Sequence, residues 1–151
     1  IENLGHDIFS FFGLGCRNVS KLMLPQGYGI ESLFGPLSKY RNVVDHYKYA
    51  NNYVYNKNVL MVNRQPFYDS GYVIFLENPS LSSHIATLHF EFYKNEKDLL
   101  DKLKAQKEKI QVVVSEKKYN KLPRVPFGES QKPGLWDYAD GVDTMEFLLN
   151  I

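Results

Sequence analysis

Cys16 is the one cysteine of the chain, and it stands in Phe11-Phe12-Gly13-Leu14-Gly15-Cys16-Arg17-Asn18-Val19-Ser20-Lys21. These residue types at this spacing suit a nucleophile. Glycines at 13 and 15 allow backbone angles that other residues avoid, so the chain can turn sharply and present a thiol. A helix opening at 16–19 would stabilise the thiolate through its free N–H groups and its dipole. The charge of Arg17 would act in the same direction. Against this stands a plainer reading, in which a lone cysteine beside Phe11, Phe12 and Leu14 is a small buried hydrophobe.

Other chemistry-bearing residues form no comparable constellation. His6, His46, His84 and His89 have no mutual spacing that builds a metal site, and the expected strand would turn His84 and His89 to opposite faces. The Gly-Leu-Gly of 13–15 lacks the third glycine of a dinucleotide loop. Asp137, Asp140 and Asp143 lie among Trp136, Tyr138, Val142, Met145 and Phe147, which reads as a packing segment with its acids facing water. The lysines of 94–118 are interleaved with acids, as on a solvated helix face.

The elements that must position Cys16 follow from periodicity. Residues 19–24 read as a short strand ended by Pro25. Residues 30–40 carry Ile30, Leu33, Phe34 and Leu37 on one helical face, interrupted by Pro36. A helix is expected over 43–57 and strands over 72–76, 85–93 and 111–115. Asn95 is placed to cap a helix bearing Leu99, Leu100 and Leu103. Strands alternating with helices of this length imply an α/β fold with a largely parallel sheet. From 121 to 134 the chain turns loose, with prolines at 123, 126 and 133, and leads into a tail over 135–151.

Bulk properties bound the class. With 44% hydrophobic residues in 151 the chain can bury a core without staples. A formal charge of +1 argues against a dedicated nucleic-acid binder. No apolar run reaches the roughly 20 residues of a membrane span, and no signal peptide is recognisable. With a single cysteine, a reducing, cytoplasmic setting is expected. The chain begins at Ile1 rather than methionine, so a piece of a longer protein is expected.

Three blocks carry a resemblance: 12–21 around Cys16, His46-Tyr47-Lys48-Tyr49-Ala50-Asn51-Asn52-Tyr53, and Leu135-Trp136-Asp137-Tyr138-Ala139-Asp140-Gly141-Val142-Asp143-Thr144. In order and over essentially the whole chain, they resemble bacterial acyl-CoA reductases of the LuxC type, within the aldehyde dehydrogenase superfamily. The resemblance implies a three-layer αβα catalytic domain over 1–120 and an extended C-terminal arm over 121–151 that packs on a preceding domain or a partner subunit. It implies that Cys16 takes an acyl group from acyl-CoA or an acyl-protein thioester, and that NADPH reduces the thioester to a fatty aldehyde. The second oxyanion donor and the general base would lie upstream, as would most of the NADPH site, so the chain alone is expected to be inactive as a reductase. Self-association through interface surfaces is also implied. One departure is visible: where the superfamily carries Glu-x-Phe-Gly-Pro, with the glutamate on a cofactor ribose, this chain has Ser80-Leu81-Ser82-Ser83-His84, and Glu77 lies three residues too early. The alternative to a reductase is a non-catalytic interaction module with Cys16 as a core thiol.

Overall fold

In the computed structural model, which describes residues 1–118, 124–138 and 142–151, the longest apolar alternation of the sequence becomes an inner strand of a sheet. This strand, β4 (Thr87–Tyr93), pairs in parallel with β1 (Lys21–Pro25) on one side and β3 (Ile74–Glu77) on the other. A short β2 (Tyr68–Asp69) adds to β3 antiparallel, giving the order β1-β4-β3-β2. The fold is thus mixed α/β with a mostly parallel sheet, as the alternation of strand and helix patterns implies. A further parallel pair joins β5 (Val113–Val114) to β6 (Arg124–Val125).

Apolar residues cover both faces of the sheet, as parallel strands require. On one face Leu22, Leu24, Phe75, Leu88 and Phe90 pack with Leu4, Ile8 and Phe9 of α1 (Leu4–Phe9). Ile30, Leu33 and Leu37 close the same cluster. On the other face Ile74 and Leu76 meet Leu60 of α3 (Tyr47–Val62), with Tyr53 and Phe67 at the margin.

The stretch expected as one helix over 30–40 is a chain of single turns. 3-10 turns at Ile30–Leu33 and Ser38–Asp45 flank α2 (Phe34–Leu37). Pro36 explains the break, since it has no N–H to give a carbonyl one turn back. The apolar face survives, with Ile30, Leu33 and Leu37 all buried. Likewise α3 starts later than expected, because His46 is extended, and it runs on to Val62. Arg64, with φ of 53°, ends that course.

Asn95 caps α4 (Glu96–Ala105) as its position foretells, its Oδ1 accepting from the N–H of Asp98 at 3.0 Å. Lys102 of this helix donates to Glu91 Oε1 at 2.6 Å, while Lys21 of β1 donates to Glu91 Oε2 at 2.7 Å. One carboxylate therefore ties α4, β4 and β1 together. Burial works to raise the Glu91 carboxyl, but the hydrogen bonds from Lys102 and Lys21 hold it below its ordinary range.

The last helix, α5 (Thr144–Leu149), is capped by Asp143, whose Oδ1 accepts from the N–H groups of Met145 and Glu146. Its Met145, Phe147, Leu148 and Leu149 are exposed, as are Leu135 and Trp136. The tail read as a packing segment therefore does not bury these side chains.

Phe75 is fully buried. Phe75→Ala is expected to cost about 3–5 kcal/mol in urea unfolding through the cavity it leaves. Val54→Ala on the exposed side of α3 should stay within about 0.5 kcal/mol. Equal losses for the two would contradict the placement of the core.

Candidate functional site

Between α1 and β1 the backbone passes through three consecutive left-handed residues, Phe11 (φ 51°), Phe12 (φ 59°) and Gly13 (φ 77°). Glycine takes such angles freely, but each phenylalanine stores strain of order 1–3 kcal/mol. Packing helps to hold the loop: the Phe12 ring lies 4.3 Å from the His46 imidazole, centroid to centroid. Asn18 supplies the polar ties. Its Nδ2 donates to the carbonyls of Asp7 (2.9 Å), Ile8 (3.3 Å) and Ser10 (2.9 Å), groups that the end of α1 leaves open.

Cys16 stands on the turn that follows. The N–H of Asn18 donates to the carbonyl of Gly15 at 2.9 Å, and the N–H of Gly15 donates to Asn18 Oδ1 at 2.7 Å. No helix opens at 16–19: the chain goes from this turn into β1. The expected dipole is therefore absent, because Asn18 closes the turn on itself. Arg17 also departs from its expected part. Its Nε donates to the Ser130 carbonyl at 2.6 Å, and its Nη2 lies 3.9 Å from Asp137 Oδ2. The Cys16 thiol is exposed, not packed among Phe11, Phe12 and Leu14, which are exposed themselves.

Cys16 lines a cavity of about 440 Å³. The cavity follows β1, an edge strand of its sheet, and is bounded across from it by 109–115 and by α4. Leu22, Leu24, Leu99, Leu103, Ile110 and Val112 make its lining largely aliphatic. This size is ordinary for a small-molecule site. Lys21 on the wall is committed elsewhere, donating to the Pro79 carbonyl at 2.6 Å as well as to Glu91. The arrangement places Cys16 on the wall of a largely aliphatic cavity.

A second set of contacts wraps this turn from the far end of the sequence. Asp7 is fully buried on α1, and its carboxylate accepts from the N–H of Gly128 at 2.6 Å and of Ser130 at 2.9 Å. Its own carbonyl accepts from the N–H of Val19 at 2.9 Å. Within the expected arm of 121–151, the described stretch 124–138 thus returns to α1 and to the Cys16 turn, and Phe127 joins the cavity lining. The sequence did hold one signal for Asp7: an acid on the helical face that carries Leu4 and Ile8.

Of the other candidates, Asp137 faces Arg17, Asp143 caps α5, and Asp140 lies outside the described residues. No group of three or more His, Cys, Asp or Glu among the described residues could hold a metal ion. The described residues also do not fit the nicotinamide cofactor that the resemblance implies. Where the ribose-holding glutamate is usual, polar groups turn onto the chain itself. Ser80 Oγ donates to the Ser82 carbonyl at 3.1 Å, and Ser20 Oγ donates to the Leu81 carbonyl at 2.7 Å.

His84 is exposed while His89 is buried, its Nδ1 donating to the Ser80 carbonyl at 3.1 Å. Burial lowers the His89 pKa, against the opposing pull of that carbonyl. The imidazole is therefore neutral in the fold at a pH where the unfolded chain already binds a proton. Stability should be full above about pH 6.5 and fall as pH drops below it toward the depressed folded value. Urea midpoints taken from about pH 8 to about pH 5 should show this slope, and His89→Gln should flatten it. An unchanged slope in the variant would exclude His89 as its source.

No helix among the described residues is long and apolar enough to cross a membrane. Comparison with protein families, with curated proteins and with solved structures finds no match to this chain.

Proposed function

We propose that this chain is the acyl-accepting, C-terminal catalytic portion of an acyl-CoA reductase, on a three-layer αβα catalytic domain of the aldehyde dehydrogenase kind. The observation that carries the reading is the exposed Cys16 thiol on the wall of an aliphatic cavity of about 440 Å³. In the acylation step Cys16 Sγ attacks the carbonyl carbon of an acyl thioester. The new bond joins Sγ to the acyl group, the bond to the old sulfur breaks, and the leaving thiol carries away the proton. The aliphatic lining receives the hydrocarbon chain. The full reaction of such reductases, NADPH-dependent formation of a fatty aldehyde, needs a cofactor site supplied by residues upstream in the family order.

Exposure of Cys16 speaks against a core thiol, and so against the purely structural alternative. Self-association is part of the same proposal, supported by the apolar side chains that α5 leaves exposed. Sedimentation should find a species heavier than one chain that Phe147→Asp shifts toward the monomer; a strictly monomeric wild type would remove that part.

Acylation has a direct test. Incubation with decanoyl-CoA is expected to add one acyl mass to the wild-type chain and none to Cys16→Ala. Added NADPH should leave the acyl-enzyme intact. Equal labelling of Cys16→Ala, or no labelling of either, would end the reductase reading.

A further inference from the structure

The block 46–53 takes no part in the proposed acyl transfer, and most of it lies on α3 (Tyr47–Val62). This helix turns Tyr49 and Leu60 into the fold. Its opposite side is open to water: Tyr47 is 66% exposed, Val54 52%, Tyr55 67% and Val62 82%, and Asn51 and Asn58 between them are exposed as well. At 3.6 residues per turn these six side chains form one stripe, roughly 100° wide, along the helix. Helix sides that face water ordinarily carry charge, and this stripe carries none.

The stripe is symmetric about a point between Val54 and Tyr55. Tyr47 and Val62 lie equally far from that point, as do Asn51 and Asn58. A second copy of α3 laid antiparallel therefore meets it in register. Val54 and Tyr55 each come against their own counterparts at the twofold axis, Asn51 against the partner's Asn58, and Tyr47 against the partner's Val62. Asparagine amides both donate and accept, so the two Asn51–Asn58 pairs satisfy each other and fix the register. Charge selects this direction over the parallel one. Lys48 stands in the first turn, where the helix dipole disfavours a cation, and the last turn has no cation of its own. In the antiparallel pair each Lys48 comes beside the last turn of the other helix. Asp45 and Arg64 are exposed just beyond the two ends of α3, and no ion pair among the described residues uses either. Antiparallel pairing brings them together as opposite charges, whereas a parallel pair would set each beside its like.

We propose that this face of α3 joins two copies of the chain as an antiparallel, twofold helix pair. The surface is separate from the one that α5 leaves exposed, and the inference does not depend on how Cys16 reacts. An isologous contact of this kind uses one patch per chain and closes on itself. A helix pair of about 24 Å is small for an interface, so the dimer is expected to be concentration-dependent.

Single cysteines read the geometry. On a Cys16→Ala background, which leaves no other thiol, Val54→Cys is expected to form a disulfide-linked dimer with copper phenanthroline as oxidant. Asn51→Cys alone and Asn58→Cys alone should stay unlinked, since about 10 Å along the axis separates each from its own copy. A mixture of these two variants should link. Asn51→Cys linking to itself would mean a parallel pair, and equal linking at every position would mean chance collision. No linking at any position would mean that another occupant covers the face. Each of these results overturns the proposal. Adding Phe147→Asp should leave the Val54→Cys linkage unchanged; loss of that linkage would assign association to α5 and overturn the proposal as well.

Discussion

Asp7 places a carboxylate where none of its surface meets water. A charge in such a place is tolerable only when hydrogen bonds replace its hydration. Here the replacements are two backbone N–H groups, from Gly128 and Ser130, more than 120 residues further along the chain. α1 cannot bring Leu4, Ile8 and Phe9 into the core without burying Asp7, and Asp7 cannot be buried without segment 128–130. The same residue fixes the strand that follows, because its carbonyl accepts from Val19 and from the Asn18 side chain. The Cys16 turn hangs between these two ties, so the position of the thiol depends on them.

The site divides into a packed frame and a strained loop. β1 and β4 are held by parallel pairing and by the Glu91 bridge, and they set where the loop must arrive. Phe11 and Phe12 then take angles that phenylalanine avoids, and both stay at least partly in contact with water. A loop that served only to connect α1 to β1 would gain from burying these rings. On the acyl-transfer reading, strain and exposure concentrated beside Cys16 fit a loop shaped to present its thiol.

Much of the frame was legible because its signals are local. The alternation over 85–93, the Asn95 cap and the apolar face of Ile30, Leu33 and Leu37 each depend on residues within a few positions, and each appears where expected. Pro36 was visible as a weakness, and the helix does break around it. The surroundings of Cys16 were less legible. Glycine and cation placement suit a helix at 16–19, but the Asn18 side chain accepts from the Gly15 N–H and donates to the carbonyls at the end of α1, and so closes a turn instead. The charge of Arg17 suits a companion to the thiolate, but the Ser130 carbonyl accepts from its Nε and the Asp137 carboxylate lies 3.9 Å from its Nη2, both more than 110 residues away. Contacts of that separation leave no periodic trace. The exposed apolar residues of α5 show the opposite limit, since their composition reads as core while the structure leaves them in water.

The cavity beside Cys16 follows from how the sheet ends. β1 lies at the edge of its sheet, and its last residue, Pro25, has no N–H with which to extend a ladder. β5 pairs with β6, so the space between β1 and segment 109–115 is filled by neither backbone nor side chain. An aliphatic chain entering it would displace water from aliphatic walls, with each buried methylene contributing about 0.8 kcal/mol. Binding energy gathered along such a chain, away from the reacting carbonyl, can hold that carbonyl against the thiol in the geometry that attack requires. On the acyl-transfer reading the edge gap is therefore a source of rate as well as of affinity. A short acyl group, which leaves most of the cavity empty, should be transferred to Cys16 more slowly even at saturating concentration.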